Sequence, residues 1–235
     1  MSAWKAKRFW KEATVEQTEG GFTVRLDGRP VKTPAKTPLV VPTLQLAEAI
    51  AAEWEAQSGL IKPETMPFTR SSNSALDKII PQFDAVVEML AAYGGTDLLC
   101  YRAVGPESLI KRQAAAWDPL LDWSASALSA PLVATAGVMH IVQDPASLEN
   151  LHRLVAGLSP FQLAAFHDLV AISGSLVLAF AVTRNRLTIA QAWHLSRIDE
   201  DWQIEQWGAD EEASTLEAAR HAALLDASRF YALCG

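Results

Sequence analysis

The clearest pattern near the start of the chain has a period of two. Phe22, Val24 and Leu26 alternate with Thr23 and Arg25, which predicts a half-buried strand. Asp27-Gly28 follows at once and reads as a hairpin turn, because the favoured two-residue turns need positive φ. Residues 31–33 are the expected return strand. Residues 13–17 are a further strand, reached through Glu19-Gly20-Gly21, and residues 39–41 a fourth. Pro30, Pro34, Pro38 and Pro42 punctuate these runs and favour short connections and edge strands.

The period then lengthens. Leu44, Ala47, Ala51 and Trp54 fall on one helical face behind Thr43, a side chain suited to N-capping. Ser58-Gly59 stops that helix, and residues 60–72, with two prolines, read as a loop. Pro81 is expected to start or kink a helix carrying Phe83, Val86, Val87 and Leu90, which Gly94-Gly95 ends. Beyond residue 105 the pattern is helical almost throughout. Asp144-Pro145 is an N-cap with proline at the first helical position, ahead of Leu148, Leu151, Val155 and Leu158. Ser159/Gln162 and Thr188/Gln191 both have capping-box spacing. One helix after Thr188 places Leu195, Ile198 and Trp202 on a face and ends near Gly208. A last helix, capped by Asp210, carries Leu216, Ala223, Ala227 and Tyr231.

These elements predict an α+β protein: a small N-terminal α/β domain with antiparallel strands, residues 1–104, and a C-terminal helical domain, residues 105–235. Composition agrees with a folded chain, at 50% hydrophobic and 20% charged residues. The apolar run 176–182, within the richer stretch 169–182 that Ser173, Gly174 and Ser175 interrupt, is too short to span a bilayer and reads as a buried helix.

Charge narrows the function. The net charge of −7 argues against nucleic-acid binding, which needs a basic footprint. Its distribution is uneven. Residues 1–36 hold eight Lys/Arg against four Asp/Glu, whereas residues 199–226 hold nine Asp/Glu against one Arg. Such an acidic stretch is either a solvated face or a surface aimed at a basic partner. The two cysteines, Cys100 and Cys234, lie far apart and suggest a reducing compartment. The basic N-terminus lacks the apolar region of a secretory signal.

Motifs for chemistry are sparse. The sequence contains neither a P-loop nor a G-x-G-x-x-G, no H-E-x-x-H and no paired C-x-x-C, so no cofactor and no metal are expected. Ser173 and Ser175 flank Gly174 without the glycines of a nucleophile elbow; they suit close helix packing. Of the five histidines only His167, beside Asp168, suggests an acid–base pair. Adjacent helical side chains diverge by about 100°, so no hydrogen bond between them is expected. A small hydrolase using His167 and Asp168 with a nearby serine is the alternative reading.

The eight tryptophans are the unusual feature. Trp117 and Trp202 match apolar faces and read as core. Trp207 sits at a helix end beside Gly208, where its ring can stay exposed, and tryptophan is a favoured interface anchor. Glu205 lies in the last turn of its helix, where the helix dipole disfavours a carboxylate; a charge kept there can serve a partner. Asp210 already has work as an N-cap, worth about 1 kcal/mol.

Longer motifs carry a resemblance. They are Leu26-Asp27-Gly28-Arg29-Pro30-Val31-Lys32-Thr33-Pro34, Ala49-Ile50-Ala51-Ala52-Glu53-Trp54, and Met66-Pro67-Phe68-Thr69-Arg70 with Asn73 and Asp77. Thr96-Asp97-Leu98-Leu99-Cys100-Tyr101-Arg102 and Trp117-Asp118-Pro119-Leu120-Leu121-Asp122-Trp123 follow. Ser173-Gly174-Ser175-Leu176, Asp199-Glu200-Asp201-Trp202-Gln203 and Trp207-Gly208 complete the set. Over roughly residues 8 to 230 the chain resembles the assembly chaperones for the alpha subunit of the F-type ATP synthase catalytic head, the mitochondrial assembly factor twelve group and its bacterial relatives. The resemblance implies an α/β domain followed by an orthogonal helical bundle. It implies a monomeric, non-enzymatic protein that holds the unassembled alpha subunit until beta subunits arrive, without nucleotide hydrolysis. Its acidic pair maps onto Glu205 and Asp210, with Glu211 and Glu212 as competitors for the second place. Mitochondrial members carry a transit segment, and the early start of the matching region favours a bacterial cytoplasmic protein.

Overall fold

A computed structural model describes residues 7–208 and 210–235; the first six residues of the basic N-terminal segment lie outside the described residues. The chain is α+β and divides into two compact units. One comprises residues up to Phe83 together with Ser159–Ala165 and Arg229–Gly235; the other comprises Asp84–Leu158 and Phe166–Ser228.

In the first unit, β1 (Ala13–Thr18) pairs antiparallel with β2 (Gly21–Leu26), Val15 opposite Val24. Asp27 and Gly28, at φ of 47° and 78°, make the predicted two-residue turn into β3 (Arg29–Pro30). That return strand is earlier and shorter than residues 31–33. After Val31 donates to the Val24 carbonyl at 2.9 Å, the backbone turns away, and Thr33 N–H bonds Thr37 O instead. Asp77 holds this turn, accepting from the Thr33 hydroxyl at 2.7 Å and from Ala35 N–H at 3.2 Å. The other end of β2 pairs with β4 (Val40–Val41).

Helix α1 (Leu44–Glu55) packs on this sheet, capped by the Thr43 hydroxyl, which accepts from Leu46 N–H. Its buried face is Leu46, Ala47, Ile50 and Ala51. The predicted face shared Ala47 and Ala51, but Leu44 is exposed and Trp54 packs edge-on against Trp10 at the margin. Together with Trp10, Val24, Leu39, Val41 and Phe230 these residues form the unit's core. Each large side chain fully buried there contributes roughly 1.5–3 kcal/mol.

Residues 60–72 are more ordered than a loop. They hold a turn of 3₁₀ helix at Pro63–Thr65 and then α2 (Pro67–Ser74). The cap comes from α1: the Glu53 carboxylate accepts from the N–H groups of Phe68 at 2.7 Å and Thr69 at 2.8 Å. Pro81 sits at an irregular point of the helical run, in the first turn of a 3₁₀ segment just ahead of the helix that carries Phe83, Val86, Val87 and Leu90. A π-helical turn at Ala75–Ile79 and a 3₁₀ turn at Ile80–Gln82 carry the chain past its missing N–H into α3 (Phe83–Ala91).

The second unit is helical apart from a two-residue parallel pairing of β5 (Tyr101–Arg102) with β6 (Thr135–Ala136). Its helices are α4 (Glu107–Ala127), α5 (Pro145–Ala156), α7 (Leu176–Thr183), α8 (Ile189–Ser196), α9 (Ile198–Trp207), and the parts of α3, α6 (Pro160–Ser173) and α10 (Glu211–Leu233) within its bounds. The Asp144 cap and the Thr188/Gln191 capping box form as predicted, and so do the reciprocal Ser159–Gln162 bonds at the start of α6. Trp117 has no exposed surface, and its indole N–H donates to Leu195 O at 2.8 Å. Leu151, Phe166, Leu169 and the first six residues of α7 complete this core.

Two predicted helices are each divided. Residues 169–182 form the end of α6 and α7, separated by Gly174 at φ 71°. The break is held by Asp97, fully buried, whose carboxylate accepts from Ser175 Oγ at 2.7 Å, Leu99 N–H at 3.0 Å and Val177 N–H at 3.0 Å. Ser175 in turn caps α7, and Ser173 Oγ donates to Leu169 O at 2.6 Å. The helix after Thr188 breaks at Arg197 (φ −119°, ψ 14°) into α8 and α9. Both cysteines are buried free thiols, pushed up by burial to about 12. Among the described residues no helix is long and apolar enough to cross a membrane.

Candidate functional site

The acidic stretch folds as α9, a break, and the first turns of α10. Three acidic residues, Asp199, Glu200 and Asp201, open α9 where the helix dipole favours them. Its last turn ends at Gly208, whose N–H reaches Ile204 O and whose φ of 85° is strained for any residue with a Cβ. Asp210 caps α10, accepting from Ala213 N–H at 2.8 Å, as predicted.

A cleft of about 360 Å³ lies between the two helices. Ile204, Trp207 and Leu216 supply its apolar surface, and Glu200, Asp210 and Glu217 its carboxylates. Trp207 is 79% exposed and Leu216 63%. Trp207 therefore stands out as its place beside Gly208 predicts, while Leu216 faces solvent instead of packing with the buried Leu224 and Ala227 of its own helix. Arg197, nearly buried, stacks on Trp193 at 5.1 Å and bonds Glu217 at 2.9 Å, tying α8, α9 and α10 together.

Glu205 has a partner inside the chain. Arg112 of α4 donates from its two terminal nitrogens to both carboxylate oxygens, at 2.7 and 2.8 Å. The guanidinium hydrogen bond and charge hold the Glu205 carboxyl below its ordinary value, and the carboxylate raises Arg112. This offsets the unfavourable position of Glu205 in the helix dipole. The guanidinium also lies 5.0 Å from the Trp202 ring centroid. Trp202 is thus half-buried under a cation rather than a core residue. A second tie between the same helices runs from Gln113 Nε2 to Asp199 Oδ1 at 2.6 Å. Arg112 and Gln113 were not foreseen: Arg112 and Glu205 are 93 positions apart and carry no local signal of their pairing.

The structure brings Trp207 and Asp210 to the cleft between α9 and α10, while Glu205 is outside its lining and pairs with Arg112 of α4. It does not bring His167 and Asp168 to that cleft. Contrary to the expected divergence, His167 Nδ1 and Asp168 Oδ1 lie 2.9 Å apart, and this hydrogen bond raises His167 above its ordinary value. Both side chains are more than two-fifths exposed, which leaves them free to bend toward each other. The serines of the hydrolase alternative are committed elsewhere, Ser173 to Leu169 O and Ser175 to Asp97. Among the described residues no group of three His, Cys, Asp or Glu is placed to hold a metal ion.

Comparison with known proteins bears on the whole chain. A family profile described as ATP12 chaperone protein matches residues 7–125. The fold closely matches the crystal structure of Atp12 from Paracoccus denitrificans, at 53% identity and a TM-score of 0.96, covering 99% of this chain and 100% of that one. The crystal structure of the Atu1473 protein from Agrobacterium tumefaciens matches at 41% identity and a TM-score of 0.94, over 97% of this chain and 86% of its own. The mitochondrial protein atp12 of Schizosaccharomyces pombe is 26% identical over 225 residues, which is 90% of this chain and 77% of that protein.

Proposed function

The chain belongs to the ATP12 chaperone protein family, and from that premise we propose that it binds the unassembled alpha subunit of the F-type ATP synthase catalytic head. It acts as a monomer in the bacterial cytoplasm and uses no nucleotide hydrolysis. An unassembled alpha subunit exposes apolar surface that its beta neighbours cover in the finished enzyme, and such surface drives aggregation. A protein that covers it lowers the sticky population by mass action and leaves when the true partner arrives.

The end of α9 and the start of α10, which carry Glu205, Trp207 and Asp210, form the docking surface in this reading. The observation that carries it is the exposure of Trp207, 79%, beside the apolar Leu216 and within a run of carboxylates. A large ring kept in water at a helix end does nothing for the fold. Buried against a partner, it anchors an interface, and the surrounding acids select a basic surface.

The test is a pull-down from bacterial lysate with the tagged chain as bait. Free alpha subunit is expected to be enriched over assembled synthase. Recovery of alpha only together with beta in intact synthase, or no alpha at all, rejects the reading. Purified alpha subunit should also aggregate more slowly with the chain present, and a Trp207→Ala chain should protect it poorly.

A further inference from the structure

We infer that Arg112 is a positioning residue for the docking surface, and that Glu205 serves that surface through Arg112 rather than by touching the alpha subunit. The part concerning the alpha subunit rests on the reading proposed above.

The first turn of α9 is anchored by burial. Ile198 is 7% exposed, and Asp199 accepts from Gln113. Beyond Trp202 that support ends: Gln203, Ile204, Glu205, Gln206 and Trp207 are all exposed. Among the described residues, the α4 side chain hydrogen-bonded to this last stretch is that of Arg112. Arg112 lies over Trp202 at 5.0 Å and grips both oxygens of Glu205. A planar guanidinium that is stacked on one side and bidentate at its end fixes an orientation as well as a distance. Trp207 follows Glu205 by two residues on the turn so held.

The same geometry weakens the case for direct recognition by Glu205. Both of its oxygens are engaged and its charge is balanced by Arg112, so a lysine or arginine approaching it meets an ion pair and not a bare carboxylate. Glu200, Glu211 and Glu212 are exposed on the same stretch and can supply the attraction. Loss of Glu205 then acts by releasing the turn that presents Trp207.

The experiment uses the full chain labelled with 5-fluorotryptophan. The Trp207 fluorine resonance is assigned by its loss in Trp207→Phe, and capture of purified alpha subunit is measured in parallel. The variants are Arg112→Ala, the isosteric Glu205→Gln, and the exchanged pair Arg112→Glu with Glu205→Arg. Each single variant is expected to move or broaden the Trp207 resonance and weaken capture about tenfold. The exchanged pair is expected to restore both. An Arg112→Ala chain with unchanged resonance and capture overturns the inference. So does an exchanged pair that restores the resonance but not capture, since Glu205 then meets the alpha subunit itself. If the resonance responds and is rescued while the unaltered chain captures no alpha subunit, the positioning role stands and the proposed client is wrong.

Discussion

The buried carboxylate of Asp97 accepts a hydrogen bond from the Ser175 hydroxyl at 2.7 Å, 78 residues further along the chain. The same side chain receives the first free N–H groups of α7, at Val177, and of the short turn at Leu99. Burial pushes its carboxyl up, against the pull of these donors. Removing it leaves three donors without an acceptor in a dry interior. Asp97→Ala should cost about 3 kcal/mol of unfolding free energy, and Ser175→Ala about 1 kcal/mol, read from urea denaturation. Equal and negligible effects of the two changes would contradict this account.

Glu53 supplies the missing cap of α2 from outside that helix. Glu53→Ala should destabilise the chain by about 1–2 kcal/mol. Hydrogen exchange locates the loss: the amides of Phe68 and Thr69 should become the most accelerated in α2, with β1 and β2 little changed.

The His167–Asp168 pair gives a pH dependence of known sign. The Asp168 hydrogen bond raises His167 in the folded chain above 6.5. Its stabilisation is therefore complete below pH 6.5 and is lost as pH rises through the folded value. Solvent screening at this exposed site limits it to a few tenths of a kcal/mol. An NMR titration of the His167 ring should give a midpoint above 6.5 that falls in Asp168→Asn. A midpoint unchanged by that substitution rules the pair out as the cause.

Capping and recognition at Asp210 can be separated. Asp210→Asn keeps a side-chain acceptor for Ala213 N–H and removes the charge, whereas Asp210→Ala removes both. The alanine variant should lose about 1 kcal/mol of stability and the asparagine variant much less. If the charge recognises the alpha subunit, both variants lose capture to a similar degree. Capture that follows stability instead assigns Asp210 to the fold alone.

Trp207→Ala should weaken capture of the alpha subunit by about 2 kcal/mol or more, as interface anchors do. Its unfolding midpoint should stay near that of the unaltered chain, with an effect within about 0.5 kcal/mol, because so exposed a ring contributes little to the fold. Titration calorimetry and thermal melts read the two effects separately.

What could be read from the sequence was what is decided within a few residues. The Asp27-Gly28 turn, the Thr43 and Asp144 caps and the two capping boxes each depend on neighbours at most three positions away, and all are present. Trp207 was legible as an exposed ring because Gly208 ends its helix. The order of residues 60–72 was not legible, since the cap of α2 lies 15 residues earlier, on another helix. The breaks at Gly174 and Arg197 depend on Asp97, Trp193 and Glu217, none of which marks the break locally. For the site, Glu205 could be recognised as an oddly placed carboxylate, but its partner could not.

The first unit includes Arg229–Gly235, and there the Leu233 carbonyl accepts from the Thr43 hydroxyl at the start of α1, while Gly235 O accepts from Gln162. These residues are synthesised after every residue of the second unit. A ribosome therefore releases the sheet and α1 early but cannot complete their unit until the last turn of α10 has cleared the exit tunnel. Through most of translation the N-terminal strands and α1 therefore lack these last contacts, and apolar surface that Phe230 helps to cover is open to other chains.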